Sequence, residues 1–167
     1  MKAMSKSKEK IQSLDEAIKL VSDWAQTEKI VFTNGVFDLI HPGHVLYLEE
    51  AKTLGTKLIV GLNSDHSAKT LGKGAHRPIN PLEARAIVLA GLQSVDLIVS
   101  FDDETPLELI ENLRPNVLVK GGDYTLEQII GSSEVLDNGG KVHSLSFVKG
   151  YSTTAIEQRI LKAGLDQ

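Results

Sequence analysis

Five short runs of aliphatic and β-branched residues, separated by helix-length segments, constrain this chain more than any other feature. Residues 29–33 (KIVFT), 57–62 (KLIVGL), 96–100 (DLIVS), 116–119 (NVLV) and 141–145 (KVHSL) read as strands. Most are continuously apolar and do not alternate, the pattern of strands covered on both faces in a parallel sheet. The segments between them carry helix signals. Asn80-Pro81-Leu82-Glu83 and Thr105-Pro106-Leu107-Glu108 each offer a capping side chain, a proline at the first helical position and an early glutamate. Leu14, Ala17, Ile18, Val21 and Trp24 are spaced for one apolar face of a leading helix.

This β-α-β-α rhythm predicts the α/β class, as a Rossmann-like, doubly wound, parallel five-stranded sheet with helices on both faces and right-handed crossovers. At 167 residues, without an internal repeat or linker, residues 14–167 are expected to form one domain and residues 1–13 a flexible tail. Ligands of such sheets bind beyond the carboxyl ends of the strands, near the switch point, so the segments after each strand hold the candidate site.

Charge and composition remove several classes of function. The first ten residues hold Lys2, Lys6, Lys8 and Lys10 against Glu9; taking those four bases and one acid from 18 and 22 leaves 14 against 21, a balance of −7. A broad nucleic-acid surface needs the opposite sign, so no nucleic-acid partner is expected. No apolar h-region follows the lysines, and the stretch at 86–92 is far short of the roughly 18 apolar residues of a membrane span, so no membrane partner is expected. With no cysteine, disulfide scaffolds, thiol catalysis and thiolate zinc sites are excluded. There is no P-loop, and no GxGxxG follows a strand.

Thr33-Asn34-Gly35-Val36-Phe37-Asp38-Leu39-Ile40-His41-Pro42-Gly43-His44 follows the first strand. Gly35 permits a sharp turn or a close approach to a ligand. Pro42 and Gly43 set His44 in the first turn of a helix, where free N–H groups and the dipole favour a phosphate. Two imidazoles there can donate to phosphoryl oxygens as charge builds. They are otherwise ordinary polar residues or two of the ligands of a zinc site, for which Pro42 and the lack of a third nearby histidine are unfavourable. Near the C-terminus, Gly150-Tyr151-Ser152-Thr153-Thr154 precedes the last helix and gathers hydroxyls and amides at its start. The competing reading of that segment is a plain capping box of Thr154 with Glu157. Lys69, Lys73 and Arg77 occupy a loop after the second strand, with Arg85 in the following helix. His66, His76 and His143 are scattered and read as ordinary polar residues.

Gly35-x-Phe37-Asp38 with His41-x-Gly43-His44 resembles the signature of the HxGH nucleotidyltransferase superfamily, and Gly150-x-Ser152-Thr153-Thr154 resembles its G-x-S-T-T segment. Val119-Lys120-Gly121-Gly122-Asp123-Tyr124 narrows the resemblance to the heptose 1-phosphate adenylyltransferases, as do Asn63-Ser64-Asp65, Arg77 to Glu83 (RPINPLE) and Val99-Ser100-Phe101. The glycerol-phosphate cytidylyltransferases carry Arg-Thr-Glu where this chain has Phe147-Val148-Lys149, which puts Lys149 there as a candidate phosphate contact.

The resemblance implies transfer of AMP from ATP to D-glycero-β-D-manno-heptose 1-phosphate, with Mg²⁺ bound mainly through the ATP phosphates. It makes His41, His44 and Asp38 the catalytic residues. Thr33, Asn34, Gly35, Val36, Phe37, Gly43, Lys69, Lys73, Arg85, Lys120, Gly121, Gly122, Asp123, Ser152, Thr153 and Thr154 become the nucleotide- and phosphate-binding set. It further implies a homodimer in the cytoplasm, supplied by a separate sugar kinase, within the synthesis of the lipopolysaccharide core. Glycerol 3-phosphate with CTP, phosphopantetheine with ATP, and a nucleotide-binding module without turnover are the alternatives.

Overall fold

Each of the five apolar runs forms a strand in the computed structural model, which describes residues 6–72 and 76–165. They are β2 (Ile30–Gly35), β3 (Lys57–Asn63), β4 (Leu97–Phe101), β5 (Val117–Gly121) and β6 (Lys141–Leu145). A sixth strand corrects the expected five. Ile11–Gln12, β1, lies parallel to β4 with Ile11 opposite Ile98, so the sheet runs β1-β4-β3-β2-β5-β6. A two-residue edge strand carries no periodicity, so only its partner reveals it.

That strand also shortens the expected tail. Lys6–Glu9 forms one helical turn, α1, and the Lys10 carbonyl accepts the Ile98 N–H at 2.7 Å. Lys10 Nζ donates to the Leu92 carbonyl at 3.0 Å. Helix α2 (Leu14–Trp24) then starts at Ser13, whose hydroxyl accepts the Glu16 N–H while the Glu16 carboxylate accepts the Ser13 N–H. The remaining helices are α3 (Pro42–Thr53), α4 (Asp65–Thr70), α5 (Leu82–Ala90), α6 (Leu107–Leu113), α7 (Ser132–Asp137) and α8 (Thr153–Leu165).

The strands are apolar throughout because both faces are covered. Ile30, Phe32, Ile59, Leu97 and Val99 join Ala17 of α2, Leu109 and Leu113 of α6 and Val135 of α7 on one face. Their neighbours Val31, Leu58, Val60 and Ile98 pack on the other with Leu48 and Ala51 of α3 and Leu89 of α5. Period-two alternation of the pleat deals successive residues to the two cores.

Two helix starts differ from expectation. Pro81 and Pro106 themselves stand at the N-caps of α5 and α6, and neither Asn80 nor Thr105 supplies a side-chain cap. The Asn80 side chain donates instead to the Asp38 carbonyl at 3.1 Å.

Strand β2 sits at the switch point, with β3 on one side and β5 on the other. It pairs with β3 along its whole length, from Ile30–Lys57 to Gly35–Leu62, but with β5 only at Val31–Val117 and Phe32–Leu118. Beyond Phe32 the two strands part. The crevice that ligands use in open α/β sheets opens there.

Candidate active site

Tyr47 of α3 fills the floor of this split. Its hydroxyl lies 2.6 Å from Thr33 Oγ1 on β2 and reaches the Val119 carbonyl of β5 at 3.5 Å. Burial pushes the phenol up to about 12, an effect the Thr33 contact partly offsets, so it remains protonated. Thr33, expected on phosphate, is placed below the cavity floor. It is fully buried and its hydroxyl is committed to Tyr47.

Above the floor lies a cavity of about 450 Å³, lined in part by Asn34, Gly35, Val36, Phe37, Asp38 and His44 from the β2–α3 segment. Phe37 holds φ +47° with its ring buried, and a Cβ on Gly35 would stand 2.9 Å from that ring. The absence of a side chain at Gly35 is what lets Phe37 fold back there. His41 forms the N-cap of α3 in an extended conformation, with Pro42 at the first helical position. The turn stacks the His41 and His44 rings, with centroids 3.8 Å apart and planes 18° apart. Phe37 meets His44 edge-on at 5.3 Å. Burial pushes the His41 imidazole below its ordinary value, partly offset by its own backbone. Among the described residues no group of three or more His, Cys, Asp or Glu could hold a metal, which leaves the zinc reading without a ligand set.

The C-terminal motif comes to the same place. Tyr151 stacks on His41 with centroids 6.4 Å apart, and Thr153 lines the cavity. A Cβ on Gly43 would lie 3.0 Å from the His41 ring and 3.2 Å from the Tyr151 side chain, so glycine there allows the two motifs to meet. Ser152 caps α8, accepting the Ala155 N–H at 3.0 Å. The Thr154–Glu157 capping box does not form; Glu157 pairs with Arg77 and His76, and Thr154 is exposed.

Other expected residues divide. Lys120 and Gly121 line the cavity, and Lys120 Nζ lies 3.3 Å from Asn34 Oδ1. Gly122 holds φ +122° behind them, where a Cβ would meet the Tyr124 ring at 2.7 Å. Asp123, Ser152 and Lys149 border an adjoining groove with Phe147 and Tyr151. Lys69 is exposed on α4, and Lys73 lies outside the described residues.

Asp38 and Arg85 change roles. Both Asp38 carboxylate oxygens accept backbone N–H groups, from Ile79 at 2.7 Å and Asn80 at 2.8 Å, so Asp38 fixes the loop before α5 against the β2–α3 segment. Arg85, expected on phosphate, has no side-chain exposure. Its guanidinium donates to the carbonyls of Val36 at 2.7 Å, Asn63 at 2.9 Å and Asn80 at 3.0 Å, and to Asp65 at 2.7 Å. It lies behind the cavity wall as a tie between three segments. Among the described residues of this loop, Arg77 lines the cavity, with its Nε buried and without a hydrogen-bond partner. As the first residue of RPIN it carries no sequence signal separating it from Arg85 or the lysines; only the packing does.

The family model for cytidylyltransferase-like proteins matches residues 32–159, most of the chain and both halves of this site. The chain belongs to the cytidylyltransferase-like family. Among curated relatives of this family member, the bifunctional protein HldE of Marinomonas sp. (strain MWYL1) is 54% identical over 148 residues, 89% of this chain and 30% of that protein. HldE of Citrobacter koseri is 58% identical over 135 residues, 81% of this chain and 28% of that protein. The chain thus spans about 30% of the length of the relatives it matches. Among solved structures, a lipopolysaccharide core biosynthesis protein from Thermoplasma volcanium GSS1 is 26% identical with a TM-score of 0.59, covering 75% of this chain and 99% of that one. Pantoate–β-alanine ligase from Francisella tularensis, 15% identical with a TM-score of 0.59 over 88% of this chain and 75% of that one, shares the fold.

Proposed function

We propose that this cytidylyltransferase-like protein transfers AMP from ATP to D-glycero-β-D-manno-heptose 1-phosphate, releasing pyrophosphate. The observation that carries the chemistry is the convergence of the His41–His44 stack at the α3 N-terminus with Tyr151 and Thr153 at the start of α8. Two helix N-termini and two imidazoles form a compact site for a polyanion in a protein whose net charge is −4. The choice of acceptor is supported by the similarity to HldE and by the Lys120-Gly121-Gly122-Asp123-Tyr124 stretch, which lies along and beside the cavity.

The acceptor's phosphate oxygen attacks the α-phosphorus in line, forming the new P–O bond as the bond to pyrophosphate breaks. The nucleophile already carries negative charge, so no base and no covalent enzyme intermediate are needed. The protein's task is positioning and charge stabilisation. His41 and His44 donate to phosphoryl oxygens as charge shifts towards pyrophosphate. Thr153, Thr154 and the first-turn amides of α8 hold the triphosphate, with Arg77 and Lys120 adding positive charge. When bound through the triphosphate oxygens, Mg²⁺ would supply charge neutralisation there. Such a cation would be held chiefly by phosphate oxygens, with the Asp38 carboxylate at the cavity holding the catalytic loop in place.

The same resemblance supports a homodimer acting in the cytoplasm, with a sugar kinase supplying the acceptor and lipopolysaccharide core synthesis using the product. Among the described residues no helix is long and apolar enough to cross a membrane. The decisive experiment incubates the protein with ATP or CTP, Mg²⁺ and a panel of phosphorylated acceptors, following pyrophosphate. Release that depends on ATP and the heptose phosphate is expected. Preference for CTP with glycerol 3-phosphate, or nucleotide binding without release, would sink the proposal.

A further inference from the structure

Asn63, on the side of the cavity built by β3 and α4, carries a hydrogen-bond acceptor that no donor among the described residues meets. Asn63, the last residue of β3, is 2% exposed and lines the cavity. Its neighbours fix which way its amide points. Ser67 Oγ lies 2.7 Å from the Asp103 carbonyl, which has no hydrogen to offer, so the single hydroxyl proton of Ser67 goes there. Ser67 therefore meets Asn63 as an acceptor, at 2.9 Å, and the Asn63 atom facing it is Nδ2. Oδ1 is left on the other branch, buried and without a hydrogen-bond partner.

The backbone around it is equally fixed. Arg85 Nη1 donates to the Asn63 carbonyl at 2.9 Å, and Asn63 sits in register with Phe101 on β4. Turning the amide over would set Oδ1 against the Ser67 oxygen and leave both without a proton between them. Buried acceptors are nearly always paired in folded proteins, and an exception marks a water or a ligand. Asn63 shares this side of the cavity with Ala68, Leu71 and Arg77. A phosphate carries acceptors and is drawn to the Arg77 cation, but an unprotonated phosphate oxygen cannot pair with Oδ1. The complementary group is an O–H held beside a phosphate.

We propose that Asn63 is a specificity-determining residue for the acceptor, its Oδ1 taking a hydrogen bond from a sugar hydroxyl. The identity of that sugar rests on the adenylyl-transfer reading above; the need for a hydroxyl donor does not.

Steady-state kinetics on the intact protein test it with Asn63→Leu, which keeps the bulk and removes the acceptor. KM for the heptose 1-phosphate should rise roughly tenfold, as expected for a lost hydrogen bond in a buried site, with KM for ATP changed less than about twofold. A second measurement leaves the protein unaltered: the wild type is given acceptors each lacking one hydroxyl. One of them should lose about as much as the substitution costs, and Asn63→Leu should lose nothing further on that acceptor. Equal losses for ATP and acceptor would overturn the assignment, as would single-deoxy acceptors all used as well as the parent. If the wild type releases no pyrophosphate with any sugar phosphate, the adenylyl-transfer reading falls separately. Calorimetric titration with heptose 1-phosphate and its deoxy counterparts then decides Asn63, and equal affinities reject it.

Discussion

Arg77 and Glu157, eighty positions apart in the chain, form an ion pair that ties the loop before α5 to the second turn of α8. Arg77 is nine-tenths buried in the cavity wall, whereas α8 is exposed over residues 158–164. His76 also meets Glu157, and the Arg77 guanidinium beside it is the main cause holding the Glu157 carboxyl below its ordinary value. The pair therefore anchors the turn that brings Thr153 to the cavity.

Replacing Glu157 with Gln should loosen that turn without touching the chemistry. KM for ATP is expected to rise by about twofold to fivefold, the scale of a lost partly exposed ion pair, with kcat nearly unchanged. Trypsin should also cut faster at Arg159 and Lys162 than in the wild type. A fall in kcat at constant KM would place Glu157 in the reaction itself.

The histidine stack gives a larger effect. His41→Ala or His44→Ala should each lower kcat by ~10²–10³, the cost of losing one donor aimed at developing charge. Far-ultraviolet dichroism checks folding, and pyrophosphate release gives the rate. A variant within a fewfold of wild type would remove that residue from the catalytic assignment.

Arg85 should behave as a structural residue. Substitution by Met leaves Asp65 and the carbonyls of Val36, Asn63 and Asn80 without their donor, and a loss of ~3–5 kcal/mol in urea unfolding is expected. An Arg85→Met protein of unchanged stability but weakened ATP binding would restore it as a phosphate ligand.

His41 also sets a pH dependence. Its folded imidazole lies below the ordinary value of 6.5, mainly through burial. Between the two values the unfolded chain binds more protons, so stability rises with pH there and is lost as pH falls below about 6.5. Above that range both states are neutral and the group contributes no slope. Urea midpoints at several pH values should show a shallower acid decline in His41→Asn than in wild type. Parallel curves would refute the assignment.

Much of the site was legible in the sequence because its parts are local. Gly35, Phe37, His41 and His44 lie within one strand–loop–helix segment, and their turn follows from nearby glycine and proline. The GYSTT segment starts a helix by the same local rule. Contacts between distant parts of the chain leave no such local signal. Thr33 looked like a ligand until Tyr47 took its hydroxyl, and Arg85 looked like a phosphate clamp until four acceptors enclosed it. Asn80 gave up its expected cap to bond the Asp38 backbone, and β1 exists only because the edge of β4 was open to it.

The sequence by itself determined the α/β class, five of the strands and the two motifs that open α3 and α8, because periodicity, proline and glycine act over a few residues. Tertiary structure alone decided that the motifs meet at Tyr151 and His41, that Arg77 rather than Arg85 faces the cavity, and that Asn63 keeps an unspent acceptor. Those outcomes turn on burial and on competition among donors and acceptors. Packing brings the competitors together from positions far apart in the chain.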